Sequence, residues 1–310
     1  MTSDKRMVLP KEVVPVSYQI NLTPNLDEFT FMGEVTIAVS VMSPTKKIVM
    51  NCAELEIISS SLTVNGQISD IANISLDQKM ETLTLTTKAE LVAAKAEVTV
   101  KFKGDLNDRL LGFYRSSYTD TDGNKKFLAT TQFESTDARR AFPCWDEPEK
   151  KATFDVTLTV PKDLTAVSNM PIVGESNLDS NLKLVRFDTT PIMSTYLLAF
   201  VVGELASIEK MSKSGTLMRV WTTKGKEEQG RFALDTSLEL LDFYNDYFGI
   251  PFPLPKLDHL AIPDFAAGAM ENWGAITYRE VALLVDPENS SAVTRQIVAS
   301  IISHEMAHMW

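Results

Sequence analysis

Two cysteines, Cys52 and Cys144, are all that the 310 residues contain. One pair in a chain this long makes no disulfide framework, so both are read as reduced thiols. Long apolar runs are missing as well. No stretch approaches the length of a membrane span. The opening, from Met1 to Pro10, has no apolar core long enough for a signal peptide. Asn21, Asn73 and Asn289 each begin an N-x-S/T triplet, and without a secretory leader these read as chance matches. Positive charge is in deficit, with 30 Lys and Arg against 41 Asp and Glu, a formal net charge of -11. That balance disfavours nucleic acid and anionic membrane surfaces as partners. It suits a soluble protein and substrates that carry a positive amino terminus, and with neither leader nor span read, a cytoplasmic protein is expected. Internal repeats and low-complexity segments are absent too. The 44% hydrophobic and 23% charged residues are an ordinary globular balance, and the length allows about two domains of roughly 150 residues.

Convincing helical periodicity is also lacking from the first two thirds. What stands there is alternation. Val35, Ile37, Val39 and Val41 fall on one face of Glu34 to Val41. Leu83 and Leu85 repeat the pattern, as do Val98, Val100 and Phe102, and then Phe154, Val156, Leu158 and Val160. Period-two alternation between turn residues marks half-buried strands. Asn65-Gly66 is a strong hairpin signal, and Asp122-Gly123 marks another turn. Tyr196 to Val202 reads as a dense apolar strand ending at Gly203.

Beyond it the period changes. Leu234, Leu238, Leu241, Tyr244 and Phe248 are spaced for a helix over Phe232 to Phe248, with Gly249 as its stop. A proline-rich loop, Pro251 to Pro255, follows. Ala292 to the end reads as a second helix, with Val293, Ile297, Ile301 and His304 near one stripe that His308 extends. Asn289 or Ser290 is the expected N-cap. The expected division is a mainly β, antiparallel domain over 1–206 and an α/β region over 207–310.

The last seven residues carry His304-Glu305-Met306-Ala307-His308, an H-E-x-x-H motif. On a helix the two histidines lie one turn apart on one face. Two imidazoles there can hold one zinc, and Glu305 can take a proton from a zinc-bound water. A catalytic zinc takes three protein ligands and a water. The motif supplies two, so the chain is read as stopping short of a third. His259, ahead of Leu260-Ala261-Ile262, reads as a structural histidine.

Upstream lies Gly268-Ala269-Met270-Glu271-Asn272. Small residues there permit close backbone approach by a ligand, and a carboxylate beside them can fix a cation. At this separation from H-E-x-x-H, the segment resembles the G-x-M-E-N motif of the gluzincin zinc aminopeptidases, the group of aminopeptidase N and the puromycin-sensitive aminopeptidase. The run Thr131-Gln132-Phe133-Glu134 through Phe142-Pro143-Cys144-Trp145-Asp146-Glu147-Pro148 looks like the long signature of that family's β domain. Leu9-Pro10-Lys11 through Tyr18, and Gly112-Phe113-Tyr114-Arg115, look like its puromycin-sensitive branch. The resemblance runs from about Leu9 to Trp310.

The resemblance implies a large antiparallel β domain followed by the start of a thermolysin-like α/β catalytic domain. It implies hydrolysis of the amino-terminal residue from peptides with a free N-terminus, using one zinc. His304 and His308 resemble the first two zinc ligands and Glu305 the general base. Glu271 looks like the anchor of the substrate's α-amino group, Glu134 its partner carboxylate, and Gln132 a wall of the pocket for the first side chain. Gly268, Ala269 and Met270, with Asn272 after them, look like the backbone that pairs with the peptide. The family's third ligand, a glutamate on the following helix, and a tyrosine for the oxyanion are not among these residues. The chain by itself is therefore expected to be inactive. Two alternatives stand beside this reading: a non-catalytic short form that binds peptides or partners, and the leukotriene hydrolase branch, which shares the motifs.

Overall fold

A computed structural model describes residues 8–92 and 94–310. Met1 to Met7, most of the segment read for a leader, lie outside the described residues. By its contacts the chain forms two units interleaved in sequence. The first takes residues up to Leu106, Phe133–Thr159 and Thr189–Tyr196; the second takes Asn107–Gln132, Val160–Asp188 and Leu197–Trp310.

The first unit is built from antiparallel strands. Val13–Asn25 pairs with Thr30–Val41, that strand pairs with Ala94–Asp105, and Glu56–Val64 lies on the far side of Ala94–Asp105. The alternation read from sequence is what packs: Val35, Ile37, Val39 and Val41 are buried together with Val98, Val100 and Phe102. Successive side chains of a strand face opposite ways, so one face carries the core. Thr153–Pro161 joins in parallel with Val13–Asn25, Ser17 beside Thr153 and Leu22 beside Leu158. Asn65 and Gly66 sit at φ 49° and 80°. Both are left-handed, as a two-residue hairpin turn requires.

The long signature run is mostly core. Phe133, Ala138, Phe142, Cys144 and Trp145 are fully buried. The Tyr18 ring stacks on Phe154 at 4.8 Å, and its hydroxyl accepts the Trp145 N–H at 3.1 Å. Arg139 bonds Asp146 and Glu81, each at 3.0 Å.

The second unit holds two sheets. One runs, in order, Thr165–Ser168, Phe200–Gly203, Lys125–Gln132, Gly112–Thr119. Here the structure corrects the reading of Tyr196 to Val202. A single helical turn covers Thr195–Leu197, and the strand begins only at Phe200. The reason is polar. The Asn169 side chain takes the Ala199 N–H and donates to the Leu197 carbonyl, both at 2.8 Å, and Ser168 Oγ donates to the Ala199 carbonyl at 2.8 Å. Those backbone groups are satisfied before a ladder can form.

The other sheet runs Leu205–Met211, Leu217–Thr223, Lys256–Ile262, Ala275–Arg279, Ala269–Met270. Its three middle strands are parallel. Every residue of Lys256–Ile262 is buried, as befits a strand at the centre of a covered parallel sheet. Helix α1, Arg231–Phe248, ends at Gly249 with φ 65°, a left-handed C-cap. Helix α2 is the short Glu280–Leu283 turn, and α3 is Ala292–Ala307. Leu234, Leu241 and Tyr244 of α1 share one core with Val298, Ile302 and Met306 of α3 and with Leu257 and Ile276 of the sheet.

One further correction concerns α3. Its N-cap is Ser291, whose side chain accepts the Thr294 N–H at 3.1 Å. Ser290 and Asn289 instead close a turn on Asp286. The stripe through Val293, Ile297 and His304 faces outward, while Val298, Ile302, Glu305 and Met306 face the core. Two apolar stripes share this helix, and spacing alone does not say which is inside.

Candidate active site

His304 in the last turn of helix α3 and His308, the residue that caps the end of that helix, lie one turn apart and are both exposed. Their Nε2 atoms lie 3.2 Å apart. Zn–N bonds of about 2.0–2.1 Å in tetrahedral geometry set two ligand nitrogens roughly 3.3 Å apart. The donor set and its spacing therefore suit one zinc. Among the described residues, no group of three or more His, Cys, Asp or Glu is placed to hold a metal ion. Glu305, next along the helix, turns toward the core and is only 6% exposed.

Tyr278 stands close enough to Glu305 to feel its charge. Burial raises the phenol well above its ordinary range, and the charge of Glu305 adds to the shift. The Tyr278 hydroxyl sits 3.0 Å from His259 Nδ1. Burial holds His259 down at about 4, so it is neutral at ordinary pH. It lies within the central strand Lys256–Ile262, and its Nε2 has no hydrogen-bond partner among the described residues.

The Gly268–Asn272 segment borders the same sheet. Ala269 and Met270 pair with Tyr278 and Thr277 as the outermost strand, so one edge of Ala269–Met270 faces no other strand of this sheet. A Cβ added at Gly268 would meet nothing within 4 Å. Open space therefore lies beside the backbone there. The Arg279 N–H donates to the Gly268 carbonyl at 2.9 Å. Glu271 follows, half-buried, and then Asn272, buried, whose amide donates to Thr277 Oγ1 at 3.1 Å. The Ala275 N–H closes a turn onto the Asn272 carbonyl at 3.0 Å, with Gly274 at φ 81° inside it.

Gln132 ends the Lys125–Gln132 strand and is 8% exposed. It belongs to the same unit as Glu271 and the histidines. Glu134 belongs to the first unit and is exposed.

The first region of the chain, residues 14–197, matches the peptidase M1 N-terminal domain, and residues 232–310 match the peptidase family M1 domain. The chain belongs to the M1 peptidase family. Its relatives include the puromycin-sensitive aminopeptidase of Caenorhabditis elegans, 49% identical over 97% of this chain and 32% of that protein. Aminopeptidase M1 of Arabidopsis thaliana is 46% identical over 97% of this chain and 35% of its own length. Aminopeptidase N of Acetobacter pasteurianus is 43% identical, over 97% of this chain and 84% of that protein. This M1 chain thus spans about a third of the length of the first two relatives.

Four residues near the segment were not singled out from sequence: Asn169, Arg219, Lys256 and Asp258. The signal for two of them was present. Lys256 and Asp258 are charges inside a run that is otherwise a buried strand.

Proposed function

We infer that the chain carries the metal-holding and amine-recognising part of a zinc aminopeptidase site. One observation carries the reading. Two histidine nitrogens converge to 3.2 Å on the open face of α3 while the glutamate between them turns inward. The aminopeptidase names of the M1 relatives support it.

His304 and His308 would hold the zinc, which when bound polarises a carbonyl and makes water more acidic. Glu305 takes the proton of the attacking water and passes it to the departing amine. Ala269 and Met270 offer an open strand edge, along which an extended peptide can pair in the manner of an added strand. Glu271, at the end of that edge, holds the α-ammonium, with Gln132 against the first side chain. A free ammonium pairs with the Glu271 charge. An internal peptide leaves it unpaired in a partly desolvated place, which is a penalty against the wrong substrate.

A second reading has its own observation. Because no third ligand stands near the two histidines among the described residues, this chain can recognise peptide ends without cleaving them. Turnover separates the two. Aminoacyl-naphthylamides with added zinc are expected to give negligible hydrolysis by these 310 residues. Efficient hydrolysis would show that two histidines suffice.

Recognition is tested on the same chain by calorimetry with a free-amine dipeptide and its N-acetylated form. Hydrogen bonds to charged groups contribute roughly 1.5–3 kcal/mol, so Glu271→Gln is expected to weaken free-amine binding by about one to two powers of ten. Binding of the acetylated peptide and uptake of zinc should not change. An unchanged ratio of the two affinities, or lost zinc, overturns the role given to Glu271.

A further inference from the structure

Lys256 is buried, at 2% exposure. A fully buried lysine is rare unless its charge is paired. Its ammonium donates to Asp258 Oδ2 at 2.7 Å, to the Ser168 carbonyl at 2.6 Å and to the Gly274 carbonyl at 2.8 Å. All three protons are used. Asp258, itself fully buried, is already gripped by both arms of the Arg219 guanidinium. One carboxylate therefore faces two cations, and the second cation spends its remaining bonds on backbone carbonyls.

Where those carbonyls lie is the informative part. Gly274 closes the turn that follows Glu271. Its carbonyl also accepts the Asp258 N–H at 3.0 Å. The carbonyl just before it, of Trp273, accepts from Asn169 Nδ2 at 3.0 Å. Two successive carbonyls are thus pinned by buried side chains from two different strand ends. The seat is tight, because a Cβ on Gly274 would stand 2.6 Å from the Asn169 carbonyl oxygen. On the other side of Glu271, Met270 pairs with Thr277 in the sheet and its carbonyl accepts the Asn272 N–H at 2.9 Å, while the Asn272 amide holds Thr277 Oγ1. The backbone on both sides of Glu271 is fixed, so the turn sets where its side chain starts, the position and direction of the Cα–Cβ bond.

We propose that Lys256, with Asn169, is a positioning residue that locks the Trp273–Gly274 turn and thereby aims Glu271 at the substrate ammonium. The proposal rests on the amine-anchor role of Glu271. A charge buried for stability alone has a cheaper substitute, since an apolar residue of similar volume often serves as well or better. What the apolar substitute lacks is the directed bond to Gly274. Burial lowers the lysine to about 8, which still leaves it mostly charged near pH 7.

The test uses Lys256→Met on the 310-residue chain, read by amide hydrogen exchange and by calorimetry with a free-amine dipeptide, its N-acetylated form and zinc. The amides of Asn272 and Ala275 are expected to exchange at least about tenfold faster, while those of the paired strand Lys256–Ile262 keep their protection. Preference for the free amine should fall by about tenfold, the loss of roughly one charge-assisted contact. Zinc uptake and binding of the acetylated peptide should stay as they were. Acceleration everywhere, or unchanged preference with a loosened turn, reduces Lys256 to a structural core residue and overturns the proposal. If Lys256→Met does not fold, Asn169→Ser removes the Trp273 bond, along with the bonds to Leu197 and Ala199, and leaves the ion pair; the same readouts apply, with amide protection over Phe200–Gly203 as the control for the other two losses. Glu271→Gln run alongside separates the two ideas. Lost preference in Glu271→Gln but not in Lys256→Met sinks the positioning role alone. Retained preference in Glu271→Gln sinks the anchor itself.

Discussion

Between pH 6.5 and 4 the folded chain refuses a proton that the unfolded chain accepts. The group is His259, fully buried and held down at about 4 by burial. In that window the unfolded state binds more protons, so stability rises with pH and is lost as pH falls. A depression of this size corresponds to roughly 3 kcal/mol by the low end of the window. Urea midpoints at pH 7 and pH 4.5 measure it. His259→Gln, which keeps a polar partner for the Tyr278 hydroxyl, is expected to flatten the dependence. An equal slope in the variant would assign the acid sensitivity to carboxylates instead. At this scale the sequence was partly legible. His259 reads as structural from its apolar neighbours, but its depth in the sheet and its hydroxyl partner come from a strand that is distant in sequence.

Helix α3 is where the site meets the scaffold. Its start depends on the Ser291 side chain, and Ser291→Ala is expected to cost about 1 kcal/mol, the usual worth of an N-cap. Near its C-terminal end it is tied to α1 through the Tyr244 hydroxyl, 2.7 Å from Ser303 Oγ and 2.8 Å from the Ser303 carbonyl. Tyr244→Phe is expected to cost about another 1 kcal/mol, a typical net hydrogen bond. Zinc uptake should distinguish the two variants. Tyr244 grips the residue before His304, so its loss should weaken zinc binding; the cap lies at the other end of the helix, so its loss should not. Equal zinc affinity in both would mean that α3 holds its histidines without help from α1. The helix itself was legible from its spacing. Which stripe is buried was not, because Val293-Ile297-Ile301 and Val298-Ile302-Met306 are both apolar, and only the neighbouring helix and sheet choose between them.

Across the whole molecule the family signatures and the packing divide the chain differently. The sequence boundary near residue 206 marks where strand periodicity gives way to helices. The contacts of the second unit reach back much further. Tyr114 donates to the Asp264 carbonyl at 2.8 Å, Ser117 N–H and Oγ bond the Asp264 carboxylate at 2.8 and 2.9 Å, and Ser116 Oγ accepts the Asp264 N–H at 2.8 Å. Residues 1–206 expressed alone lose all of these partners. The expected result is rapid amide exchange over Gly112–Gln132, with protection kept over Thr30–Val41 and Ala94–Asp105. Full protection of Gly112–Gln132 in the short piece would show that its sheet stands without the later residues.

The sequence by itself determined the local events. Alternation specified the strands, Asn65-Gly66 and Gly249 specified a hairpin and a helix end, and the one-turn spacing of His304 and His308 brought two nitrogens to one face. Each follows from backbone geometry within a few residues. Only the tertiary structure decided which α3 stripe is covered, why the Tyr196–Val202 run pairs late, and that Lys256 and Asn169 hold the turn after Glu271. Those outcomes depend on which apolar faces and which buried donors and carbonyls meet between elements 18 to 104 residues apart in sequence. No local period encodes such a meeting, because it exists only once the sheets have formed.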